Sequence, residues 1–255
     1  MKIHRFYIPE EVLERLQDTG EVEITKKDTD KYFDGEEFIH QLTHVLRFRE
    51  GDIFHVFNDA IGKYKVSLIS GHKKAIQIKL EKKIIGNEGE KRVSITLAMS
   101  LIKKDKFELV AEKSTELGVK DIIPLETERV VQKHLSHDRL LRITKEASEQ
   151  CGRISIPQVS DTKSLDEILK KTKEYDLCLY GNMTGDMSLK ELMDLYQKDK
   201  LKNILVCIGP EGGWTEGEVQ RFTNAGFRSI SIHENTLRAE TAAIGVLGFL
   251  GGLMK

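Results

Sequence analysis

The sequence predicts an α/β protein: a mostly parallel β-sheet flanked by helices, preceded by a small β-barrel. Three observations carry that prediction. Apolar and polar residues alternate with period two in residues 1–84, as in half-buried antiparallel strands. From residue 91 onward, short apolar runs alternate with amphipathic stretches of helical length, the rhythm of a parallel sheet with helices on both sides. Between them, Gly86-Asn87-Glu88-Gly89-Glu90 reads as a linker. The 255 residues therefore divide into domains 1–84 and 91–255.

In the first part, Tyr64, Val66 and Leu68 alternate with Lys63, Lys65 and Ser67, and Ile76, Ile78 and Leu80 with Ala75, Gln77 and Lys79. Further strands are expected at 3–8, 21–25 and 52–58, with one helix over about 36–47. Short strands joined by turns suggest the barrel. Over 1–84 there are 15 Lys+Arg and 15 Asp+Glu, yet 62–83 holds seven lysines against one acid, Glu81. Such a hairpin either tracks a phosphate backbone or guards a sheet edge against aggregation.

In the second part, strands are expected near 92–100, 121–125, 176–180, 202–208 and 228–232. Helices are expected near 105–117, 137–151, 188–197, 216–225 and 239–253. In the first of these, Phe107, Val110, Ser114 and Leu117 share a face, and Gly118 is placed to end it in a left-handed conformation.

A composition of 39% hydrophobic and 32% charged residues suits a globular core, and a net charge of -1 leaves any anionic partner to a local patch. Cys151, Cys178 and Cys207 are odd in number and far apart, which argues against a disulfide framework or a metal site. MKIHRFYIPEE has no apolar leader stretch, and the run Thr241–Met254 is short for a membrane span, so a cytoplasmic protein with a buried last helix is expected.

The stretch Ile208-Gly209-Pro210-Glu211-Gly212-Gly213-Trp214 joins an apolar strand to a helix opened by the capping box Thr215-Glu216-Gly217-Glu218. Its spacing matches neither a dinucleotide fingerprint nor a P-loop. Leu179-Tyr180-Gly181-Asn182 and Thr236-Leu237-Arg238-Ala239-Glu240-Thr241-Ala242-Ala243 also follow predicted strands. If these strands are neighbours, the three loops converge on a pocket of backbone amides and small residues, suited to a nucleoside-like cofactor. A side chain at Gly212 is then expected to occupy the ligand's approach.

The glycine loop, Leu237-Arg238-Ala239-Glu240-Thr241-Ala242 and Glu149-Gln150-Cys151-Gly152-Arg153 together resemble the bacterial 16S ribosomal RNA (uridine-N3)-methyltransferases of the SPOUT class. Arg5-Phe6, His40-Gln41-Leu42-Thr43-His44-Val45-Leu46-Arg47, Gly51-Asp52 and Glu116-Leu117-Gly118-Val119 extend the resemblance over essentially the whole chain. It departs from the family pattern at Leu140, where Trp is usual, and at His233, where Gly is usual. The resemblance implies an N-terminal PUA-like barrel that holds RNA, a C-terminal domain with a trefoil knot, a homodimer formed through that domain, and no metal or membrane. The implied cofactor is S-adenosyl-L-methionine, held by Tyr180, Gly181, Ile208, Gly209, Glu211, Gly212, Gly213, Thr236, Leu237 and Thr241. The implied partner is 16S rRNA in the small ribosomal subunit, with Arg5, Arg47, Lys63 and Lys65 as RNA contacts.

Uridine N3 carries a proton at neutral pH, so its methylation calls for a base and a cation near the anion formed. Arg153 is the expected cation. Glu211 is either the base or a group that fixes the glycine loop, and Arg238 and Glu240 are expected to pair. A non-enzymatic RNA-binding assembly factor on the same fold is the alternative. A nucleotide-dependent enzyme using Glu234 on a ribose ranks last.

Overall fold

The computed structural model describes residues 3–86, 93–130, 134–199 and 201–253. The chain forms two compact units, Met1–Glu90 with Lys145–Ile156, and Lys91–Thr144 with Pro157–Lys255. A single cut at a linker therefore does not describe it: residues 145–156 belong with the first unit, where Ile156 joins the buried core. Most of the expected linker, residues 87–90, lies outside the described residues.

The first unit contains β1 (Arg5–Tyr7), α1 (Glu10–Thr19), β2 (Glu21–Thr25), α2 (Gly35–His40), β3 (Ile53–Asn58), β4 (Gly62–His72) and β5 (Ala75–Gly86). The strand order is β1-β3-β4-β5-β2; β1 and β3 run parallel and the other pairs antiparallel. In its hydrogen bonds this is an open sheet with β1 and β2 at its edges; among the described residues no ladder closes it into a ring. Phe6 packs edge-on against Phe38 and Phe54 at ring separations of 5.3 and 5.6 Å, in the geometry the ring quadrupole favours.

Helix α1 was not among the expected elements. Val12, Leu13 and Leu16 form its buried stripe, Pro9 stands at its start, and Gly20 ends it with φ +77°. The helix expected over 36–47 divides into α2, whose start is capped by Asp34 accepting from the amides of Glu36 and Glu37, and a π-helical turn at Gln41–Val45.

The second unit begins with β6 (Ser94–Ser100), α3 (Lys104–Glu116) and β7 (Asp121–Glu126), followed by α4 (His137–Cys151), whose residues from Lys145 on fall in the first unit. Then come β8 (Gln158–Val159), β9 (Lys163–Ser164), α5 (Leu165–Leu169), β10 (Leu177–Gly181) and α6 (Leu189–Asp199). The chain continues through β11 (Asn203–Ile208), α7 (Glu216–Asn224), β12 (Arg228–Ile230) and α8 (Ala239–Leu253). The sheet order is β12-β10-β11-β6-β7-β8, with β9 also on β7, and every pairing is parallel. Gly118, just past the C-cap Leu117 of α3, has φ +89°, as expected. Leu140 is buried, so the smaller side chain still fills a core position. Cys178 and Cys207 are buried, and burial pushes both thiols upward, Cys178 to about 11.

In the first unit, the last turn of α4 meets β1. The Tyr7 amide donates to Glu149 Oε1 at 3.0 Å, and Lys145 Nζ lies 4.0 Å from the same oxygen. Burial raises the Glu149 carboxyl from 4.5 to about 7; Lys145 and the Tyr7 bond oppose the rise, while Glu146 and Glu37 add to it. Between those values the folded state binds more protons than the unfolded one, so this group makes stability fall as pH rises from about 4.5 to 7. Glu149→Gln should flatten the dependence of melting temperature on pH over that window. Parallel pH profiles for variant and parent would refute this.

Candidate functional site

Strand β10 lies between β11 and β12, with Tyr180 beside Cys207 on one side and Ser229 on the other. Because the three run parallel, their C-terminal ends emerge together, the usual place for a ligand in an open α/β sheet. The loops that follow enclose a cleft of about 830 Å³, within the size range of small-molecule sites. The convergence expected from the sequence is thus formed.

Of the ten residues expected to hold a cofactor, eight line this cleft: Gly181, Ile208, Gly209, Glu211, Gly212, Gly213, Thr236 and Leu237. Tyr180 and Thr241 are not among the lining residues. The Tyr180 ring is buried in the core, stacked on Phe222 at 4.6 Å. On α8 the helical turn brings Ala239 and Ala242 to the lining and carries Thr241 to solvent. Glu234 is also absent from the lining, which removes the support for the ribose-binding reading.

Trp214 organises the glycine loop. Its Nε1 donates to the Gly181 carbonyl at 2.8 Å, and its indole meets Phe222 edge-on at 4.8 Å. A Cβ on Gly209 would lie 3.0 Å from Trp214 Cε2, so glycine there makes room for the indole. Gly213 has φ +67°, which disfavours any side chain. Gly212 lines the cleft, and a Cβ there would first meet Arg129 at 3.2 Å, whose Nη1 donates to the Gly212 carbonyl at 2.8 Å. The expected capping box is present, and buried Glu218 accepts from the amides of Thr215 and Glu128. A third tie runs from Thr236 Oγ1 to Met183 Sδ at 3.2 Å, joining the loops after β12 and β10.

Sequence reasoning missed the contribution of α3. Lys103 and Lys106 line the cleft because β6 neighbours β11 and opens at the same edge; the lysine-rich turn after the β6 run was the available signal. Glu211 Oε1 accepts from the Lys103 amide at 3.3 Å. Glu240 lies 3.9 Å from Lys106 Nζ, and the expected Arg238–Glu240 ion pair is not formed. His233 lines the cleft and its Nδ1 accepts from the Asn235 amide.

The remaining expected residues lie in the first unit. Arg153 donates from Nε and Nη2 to Ser155 Oγ at 3.1 and 2.8 Å. Arg5 Nη1 donates to the Gln150 carbonyl at 3.3 Å, and Lys63 Nζ to the Gly152 carbonyl at 3.2 Å. Arg47 is exposed with φ +56°, the single non-glycine residue with positive φ among those described. The lysine hairpin does not guard an edge, since β4 and β5 are interior strands. Instead Arg5, His55, Lys65 and Lys82 stand in register across β1, β3, β4 and β5. Burial and the neighbouring Lys63, Arg5 and Lys65 hold the His55 imidazole below its ordinary 6.5. Among the described residues there is no metal-holding group of three or more His, Cys, Asp or Glu, and no helix long and apolar enough to cross a membrane.

A family model described as an RNA methyltransferase domain matches residues 89–251. The ribosomal RNA small subunit methyltransferase E of Rickettsia conorii is 30% identical over 245 residues, 96% of this chain and 93% of its own. The fold is similar to that of the Neisseria gonorrhoeae ribosomal RNA small subunit methyltransferase E, solved bound to S-adenosyl methionine, with TM-score 0.81, 25% identity, and coverage of 96% of this chain and 95% of that one. A Legionella pneumophila methyltransferase solved with SAM bound is also similar, with TM-score 0.78, 26% identity, and coverage of 99% and 98%.

Because Trp214 is the chain's one tryptophan, its emission reports on the loop directly. Gly209→Ala should displace the indole, shift its emission and cost about 1–3 kcal/mol of stability, as overpacking does. Unchanged emission and stability would show that the close approach to Gly209 constrains nothing.

Proposed function

The chain belongs to the RNA methyltransferase family of ribosomal RNA small subunit methyltransferase E, and on that premise we propose that it methylates N3 of a single uridine in 16S rRNA of the small ribosomal subunit. The cleft at the ends of β10, β11 and β12 carries this reading. Its donor set fits S-adenosyl-L-methionine. Ile208, Ile230, Leu237 and Ala242 offer apolar walls for an adenine, and the loop backbones at Gly181, Gly209 and Leu237 offer polar partners. No lysine follows the glycines to meet a triphosphate. When bound, the cofactor supplies an electrophilic methyl on a sulfonium.

The chain's own residues must align the uracil, accept the N3 proton and stabilise the anion left behind. Arg153 is the proposed cation. For Glu211 the bond from the Lys103 amide favours the role of fixing the glycine loop over that of base. Lys65 and Lys82, opposite one another on β4 and β5, put like charges side by side, an arrangement that an RNA phosphate would relieve. Arg47, exposed on the first unit, is a further proposed RNA contact. The family also implies that the first unit is a PUA-like barrel, that the second contains a trefoil knot and forms a homodimer, and that the protein works in the cytoplasm.

The test is methyl transfer from labelled S-adenosyl-L-methionine to small subunits from a strain lacking the modification, with the product nucleoside identified by mass spectrometry. The expected product is 3-methyluridine. Cofactor binding without a methylated uridine would overturn the substrate, and absence of cofactor binding would move the protein to an RNA-binding assembly role. Arg153→Ala should lower turnover about 10²–10³-fold with cofactor affinity unchanged, the scale for losing a charge-stabilising donor. A loss confined to cofactor affinity would exclude that role.

A further inference from the structure

The segment Glu149–Arg153 is gripped at three points by the sheet of the first unit. Tyr7 on β1 holds the Glu149 carboxyl through its amide at 3.0 Å. Arg5, two residues earlier, donates to the Gln150 carbonyl at 3.3 Å. Lys63 on β4 donates to the Gly152 carbonyl at 3.2 Å. The last carbonyls of a helix have no partner within it, and its C-terminal end carries a partial negative charge, so two cations are well placed there.

We propose that Arg5 and Lys63 are positioning residues that clamp the C-terminal turn of α4 and so fix where the Arg153 guanidinium stands, rather than contacts to RNA phosphates. The inference rests on Arg153 being the cation of the reaction. Three further observations support the clamp. Gly152 has φ +84°, and a Cβ on it would lie 2.9 Å from Arg5 Nε, so only glycine lets the guanidinium close over this turn. Lys63 is 8% exposed, which withdraws its ammonium from a phosphate backbone running over the surface. Neither cation forms an ion pair with an acid within the described residues, so the helix carbonyls are their counter-charge. The contrast with Lys65 is direct. It lies two residues along the same strand and is more open.

The test compares Lys63→Met, Arg5→Ala, Arg5→Lys and Gly152→Ala with Lys65→Ala and Arg153→Ala. Each is assayed for kcat and KM on small subunits, for the salt dependence of subunit binding, and for hydrogen exchange over residues 148–155. In Lys63→Met, Arg5→Ala and Gly152→Ala, kcat should fall about tenfold or more, with KM and salt slope unchanged and exchange faster at the turn. Arg5→Lys should recover part of the turnover. Lys65→Ala should instead raise KM and reduce the salt slope by about one. A raised KM and reduced slope in Lys63→Met, with exchange unchanged, would overturn the clamp. Full turnover in Arg153→Ala, with exchange still faster in the clamp variants, would overturn the role of Arg153 and leave the clamp standing.

Discussion

The parallel seating of β10 between β11 and β12 is the constraint on which the cleft depends. Parallel strands release their chains at one edge, so segments more than fifty residues apart in sequence, around Gly181 and Thr236, meet there. The register alone would leave three separate loops. Hydrogen bonds from Trp214 to the Gly181 carbonyl and from Thr236 to Met183 join them. Beneath them Tyr180, Trp214 and Phe227 each pack against Phe222 at about 5 Å, Tyr180 stacked on it and the other two edge-on. The polar wall of the cleft therefore rests on apolar packing, and the indole belongs to both.

Charge is distributed differently in the two units. In the second, Lys103, Lys106 and Arg238 at the cleft face Glu211 and Glu240, a lining of mixed sign rather than a cationic cradle. In the first, Lys65 and Lys82 stand in register with His55 and with no acid. A chain of net charge -1 can thus meet a nucleic acid through one sheet face without a basic overall field.

The sequence revealed most where local chemistry and tertiary structure agree. The strand, turn and capped helix around Ile208–Glu218 were legible because an apolar run, glycines and a capping box each act over a few residues. Gly118 was legible for the same reason. Helix α1 was missed although Pro9, the Val12–Leu13–Leu16 stripe and Gly20 were all in view, because the period-two reading of its neighbours was carried across it. The two-residue strands β8 and β9 have no pattern to find; they exist only through their pairing with β7. Which face a side chain takes was the harder question. Tyr180 lies on β10 just before the right loop, where strand alternation buries its ring, and for the lysine hairpin the choice between edge and phosphate surface stayed open because sequence does not show that β2 covers β5.

The grouping of Lys145–Ile156 with the first unit bears on how such a protein can arise and be dissected. A chain that leaves one unit, enters another and returns is not a tandem array, and no gene fusion at a single junction yields it. Ile156 belongs to a core whose other buried residues end at Ile78, nearly eighty residues earlier. A fragment stopping near residue 86 would lack a piece of its own interior, and one starting near 93 would carry that piece with nothing to receive it.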